Sequence, residues 1–173
     1  MGIQTVVNVT QGFGIIGERY DNSPVRSQPF MLNSASAANN VFGRAFTVLS
    51  EGVARAGNPG GTNVFAGILV NPKSHALLGS ASNTLAASLT LANNVTAEIA
   101  NMGCFVVTLP TASSPIGNLV IYDNTTGVLE TIAPGADLPV GKSSAYAVVD
   151  RFDITSGLAV IRMTTIPEIP VLA

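Results

Sequence analysis

The residues able to do covalent or proton-transfer chemistry are few and scattered. One histidine, His75, and one cysteine, Cys104, occur among 173 residues. A Ser-His-Asp relay needs a nucleophile held in hydrogen-bond reach of its base, and no Gly-x-Ser-x-Gly elbow is present to present one. One His, one Cys and carboxylates without regular spacing make no metal-ligand set. Cys104 sits in Gly103-Cys-Phe-Val-Val-Thr-Leu109, an apolar run that reads as a buried, unreactive thiol. Asp150 and Asp153 flank Arg151 at a turn, where a solvated, turn-stabilising cluster is the simpler reading than general acid–base work. The expectation is a protein with no catalytic residue, no metal and no cofactor.

Gly12-Phe-Gly-Ile-Ile-Gly17 matches G-x-G-x-x-G to the letter. The dinucleotide fingerprint also requires a helix opening at the third glycine and an acid about 20 residues on. Here Glu18-Arg-Tyr-Asp-Asn-Ser-Pro24 follows, and residues 33–40 contain neither Asp nor Glu. A glycine-rich strand or loop without nucleotide is expected instead.

Charge narrows the partners. Charged residues make up 10 % of the chain, the net charge is −2, and the only lysines are Lys73 and Lys142; about 25 % charged is usual for a soluble domain. Without a basic run, phosphate neutralisation is not available, so nucleic acid is not an expected partner. The longest apolar runs reach six residues, as in 65–70, far short of the roughly 20 a membrane helix needs. Ser, Thr and Asn, 43 residues together, must supply most of the polar exterior. Such a surface suits a chain that packs against partners. Four charges then become candidates for paired or interface contacts: Arg26, Arg44 and Arg162, and Glu98, which stands alone between two 24-residue stretches free of Asp, Glu, Lys and Arg. An outward charge on an edge strand is the alternative for each.

The elements that must position these residues read as short strands between Gly, Pro and Asn turns. Strands are expected at 3–9, 41–49, 64–70, 103–109, 118–122, 128–133, 146–150 and 158–165, with a hairpin across 123–127. A short helical turn over 71–78 follows the cap-like Asn71-Pro72, and 84–91 fits helix or strand. Residues 21–40 lack a sustained apolar period and read as an extended arm, and 166–173, with two prolines, as an extended tail. Both are expected to order against a neighbouring subunit. The architecture is all-β, a small sandwich or barrel of jelly-roll type, in a single domain spanning 1–173.

The ordered strings Gln11-Gly-Phe-Gly-Ile-Ile-Gly-Glu-Arg-Tyr-Asp-Asn-Ser-Pro24-Val-Arg26, Asn40-Val-Phe-Gly-Arg-Ala-Phe46 and Gly60-Gly-Thr-Asn-Val-Phe-Ala-Gly-Ile-Leu-Val-Asn-Pro-Lys73 resemble a family of tailed-bacteriophage capsid cement, or decoration, proteins. Less specific likenesses are Ala97-Glu-Ile-Ala-Asn-Met-Gly103 and Gly117-Asn-Leu-Val-Ile-Tyr-Asp-Asn-Thr-Thr-Gly127. The resemblance implies a β-rich protein without an active site, made in the host cytoplasm and placed on the capsid exterior of the virion. There it would clamp neighbouring copies of a major capsid protein as a homo-oligomer, a dimer or trimer. Another virion structural protein (tail tube or head completion) and a β-sandwich receptor- or ligand-binding module are the competing readings.

Overall fold

The structure, a computed structural model, describes residues 13–71, 90–110 and 115–164. Their strands are β1 (Arg26–Leu32), β2 (Ala45–Ser50), β3 (Val53–Ala56), β4 (Phe65–Leu69), β5 (Thr96–Thr108), β6 (Leu119–Asp123), β7 (Leu129–Ile132), β8 (Lys142–Asp153) and β9 (Leu158–Met163). A single 3-10 turn, Ala37–Asn39, is the only helical element among the described residues. The fold is all-β, a barrel with a sheet packed on it.

Strand order explains how two halves arise from one ladder. The sheet runs β1-β3-β2-β4-β5-β9-β8-β6-β7, and β1 also pairs with β5. That extra pairing closes β1, β3, β2, β4 and the first half of β5 into a five-stranded barrel. Closure rests on a short parallel contact, Met31 opposite Val53 and Leu32 opposite Ala54. The barrel is narrow, so its interior sets alanines beside a few larger side chains: Ala54, Ala56, Ala66 and Ala97 beside Leu32, Phe46, Leu69 and Ile99. Side chains alternate across each strand, so Ala45, Ile68 and Ala100 point out of the barrel. There they meet Phe105, Tyr122, Leu129, Ile161 and Met163 of the second sheet.

β5 belongs to both halves. Its residues 96–102 pair with β1, and 103–108 pair with β9. Gly103 marks the changeover with φ 127°, where an added Cβ would come within 2.9 Å of Val25 and 3.1 Å of Phe105. Gly67 in β4 is tighter still: a Cβ there would lie 2.0 Å from the Ala100 carbonyl oxygen.

Residues 21–40, expected as an arm over a surface, are extended only in part and are not free of the fold. Residues 26–32 form β1, paired with β5 over six positions, and Leu32 is buried in the barrel. The partner strand lies some seventy residues away in sequence, and that long-range ladder supplies what the local apolar pattern lacks. β3 was not anticipated. The expected hairpin of 118–122 with 128–133 is present as β6–β7, and the expected strands starting at 146 and 158 fall in β8 and β9, which pair with each other. The expected strand 3–9, the turn after Asn71, most of 84–91 and the tail 166–173 lie outside the described residues.

Candidate functional site

Gly14 and Gly17, the described glycines of the G-x-G-x-x-G string, adopt positive φ in a loop. The loop is tied down locally: the Ile15 N–H donates to Glu18 Oε2 (3.1 Å), Gly17 N–H to the Val106 carbonyl (2.7 Å) and Tyr20 N–H to the Cys104 carbonyl (2.8 Å). No helix opens at Gly17, so no helix N-terminus is offered to a pyrophosphate. Cys104 is 6 % exposed and burial pushes its thiol up. His75 lies outside the described residues. Asp153 closes its own turn, accepting from the Thr155 N–H (3.0 Å) and the Ser156 hydroxyl (2.6 Å). Arg151 instead lies over two rings, 5.2 Å from the centroid of Phe13 and 5.4 Å from that of Tyr20. Among the described residues no group of three or more His, Cys, Asp or Glu could hold a metal ion.

The four singled-out charges divide between three places. Arg26 and Glu98 share the β1–β5 seam without pairing: Arg26 Nε–H donates to Asn101 Oδ1 (2.7 Å), and the Ser27 hydroxyl donates to Glu98 Oε1. Glu98 and Ser27 line a cleft of about 520 Å³ together with Glu18, Arg19 and Asp21. Arg44 precedes β2 and is half-buried, and burial lowers its pKa. Its guanidinium bridges the 3-10 turn and the β6–β7 turn, donating to Asn39 Oδ1 (3.0 Å) and the Thr126 carbonyl (3.3 Å). It ties loops together from within. Arg162 makes a two-point pair with Asp150 across β9 and β8, at 3.0 and 3.1 Å, on the exposed face.

Two constellations escaped sequence reasoning. Lys142 on β8 is held between Asp123 of β6 (3.1 Å) and Glu130 of β7 (2.6 Å), which raises its pKa, through the Glu130 hydrogen bond first. Burial opposes ionisation of Asp123, yet hydrogen bonds from Thr126, Lys142 and Thr125 outweigh it and bring the carboxyl down to about 2. The second is a row of three rings. Phe65 stacks on Tyr122 (5.6 Å, 27°) and meets Tyr146 edge-on (5.7 Å, 64°). Tyr122 is buried, which pushes its hydroxyl up to about 12, whereas Tyr146 keeps 38 % of its surface exposed. Neither has a sequence signal, because their members come from three separate strands or strand ends.

The described side-chain contacts tie turns, loops and strands together around a closed barrel and the sheet packed on it. The family model for phage structural cement proteins matches residues 3–164, and the chain belongs to that family. Among solved structures, a chain from "The capsid of Myoviridae Phage XM1" shares the fold, with a TM-score of 0.61 and 18 % identity over 95 % of this chain and 99 % of that one. No curated protein matches the sequence.

Proposed function

We propose that this protein binds the outside of a tailed-phage capsid and stabilises the shell by clamping neighbouring major capsid protein subunits, as a homo-oligomer and without catalysis or cofactor. The family match over residues 3–164 carries the reading. The exterior supports it. Val140 is fully exposed, and Val64, Ile154 and Ile116 are 73 %, 64 % and 58 % exposed. Val140 stands in the loop 133–141, where Asp137 is the one charge. Apolar and neutral contacts of this kind hold in salt that would weaken ion pairs. Made in the host cytoplasm, the protein would then act in the virion.

The test is co-sedimentation with shells of the major capsid protein. The protein should pellet with shells and raise their melting temperature. Val140→Asp should weaken pelleting about tenfold, the loss of roughly 1.4 kcal/mol of contact, while its own unfolding midpoint stays put. Light scattering should give more than one subunit per particle. A monomer that stays in the supernatant with shells present overturns the proposal.

A further inference from the structure

A groove of about 350 Å³ opens beside the three-ring row, lined by Phe65, Tyr146, Val64, Asn63, Asn101 and Arg26. Its wall is strained. Tyr146 has φ 51°, a conformation a bulky side chain rarely holds. It lies in a bulge: Val120 of β6 pairs with Ala147 and Ile121 with Ser144, so Ala145 and Tyr146 are the extra residues. The bulge keeps an aromatic ring half-exposed on the groove wall, and strain of this kind gathers at binding sites. Val64, on the same groove, leaves 73 % of its surface to solvent. Asn63 Nδ2 has no hydrogen-bond partner among the described residues.

Charge points to the occupant. Arg26 is exposed and holds only the Asn101 amide, with no carboxylate in ion-pair range among the described residues. The groove therefore presents an apolar, aromatic wall beside a cation whose remaining donors are unspent. All the described carboxylates except Glu51 and Asp137 already accept hydrogen bonds within the chain, so few are left to meet Arg26 from a second copy. We propose that this groove seats an acidic segment of the major capsid protein, with an apolar side chain against Tyr146, Phe65 and Val64 and a neighbouring carboxylate on Arg26. The inference rests on the shell binding proposed above and names a surface that performs part of it. Apolar contacts alone fix no register, whereas a guanidinium accepts a carboxylate in few orientations, so the pair sets how the segment lies.

The experiment is co-sedimentation of full-length variants with shells of the major capsid protein at rising salt. Arg26→Glu, which reverses the charge, should weaken pelleting about tenfold, while Arg162→Ala, outside the groove, should leave it unchanged. Tyr146→Gly, which holds φ 51° without strain, should weaken it about fivefold in a fold that stays intact. Part of the wild-type binding should fade as salt is added, and Arg26→Gln should lose that dependence. Wild type that pellets no better than Arg26→Glu and Tyr146→Gly overturns the inference and leaves shell binding standing; wild type that stays in the supernatant overturns both. A salt dependence shared by wild type and Arg26→Gln overturns the carboxylate contact. Fewer subunits per particle for Arg26→Glu without shells overturns the capsid protein as occupant and gives the groove to a second copy.

Discussion

The barrel and the sheet packed on it solve the same problem in opposite ways. The barrel has no open edge, because β1 closes onto both β3 and β5, and its core is filled with alanines and a few large side chains. The sheet keeps an edge, β7, four residues long and paired among the described residues only with β6. Its stability comes from large buried side chains such as Tyr122, Phe105 and Ile161, and from charges that pin its outer strands. A closed ring tolerates no extra volume, whereas an open sheet yields at its margin. The barrel is thus the rigid half, and the sheet is the half whose edge and loops are left to meet something else.

The largest effect should come from breaking that contrast with one methyl group. Gly67→Ala places a Cβ against the Ala100 carbonyl at a positive φ inside the barrel, and should cost about 4 kcal/mol or more. Gly141→Ala, at φ 79° on the sheet margin with nothing within 4 Å, should cost only about 1 kcal/mol from backbone strain. Urea unfolding midpoints of the two variants decide it, and equal losses would mean that the barrel is no tighter than the sheet.

A smaller effect should appear at the charged end of the sheet. The Asp123 carboxyl titrates at about 2 in the folded protein against 3.8 ordinarily. The unfolded chain therefore takes up this proton first on acidification, and protonation favours unfolding. The contribution is full above about pH 4 and fades as the pH falls toward 2. Asp123→Asn should flatten the pH dependence of the unfolding midpoint in that window, whereas Phe46→Leu inside the barrel should lower stability equally at every pH.

The smallest effect belongs to Arg162. Its pair with Asp150 is 55 % and 33 % exposed, so Arg162→Ala should cost about 0.5 kcal/mol at low salt and less as salt is added. A loss that salt leaves untouched would assign Arg162 a packing role instead.

How much of this was legible in the sequence depended on how local the cause was. The β6–β7 hairpin was readable because Asp123-Asn-Thr-Thr-Gly127 is turn chemistry between two apolar runs, and Asp123 accepts from the turn as such residues do. Within the expected strand 41–49, Phe42 and Phe46 pack in the barrel core and Val48 packs against it. β1 was mistaken for an arm because Pro29 and its polar neighbours show no period, and its order comes from β5 far along the chain. β3 is only Val-Ala-Arg-Ala, too short and too small to stand out. Rarity of charge singles out Glu98, and the structure sets it on the same seam as Arg26 without pairing the two. The Phe65–Tyr122–Tyr146 row was invisible, because a bulge that holds Tyr146 at positive φ is set by register and not by residue type.

The shared strand β5 has a mechanical meaning. Tension applied to the barrel reaches the sheet along one covalent backbone as well as through the packed side chains between them. The six ladder positions with β1 and the six with β9 follow one another end to end along β5, so a pull in the strand direction passes through one ladder and then the other, loading each in shear. Gly103, at φ 127°, is where that line of force passes from the one ladder to the other.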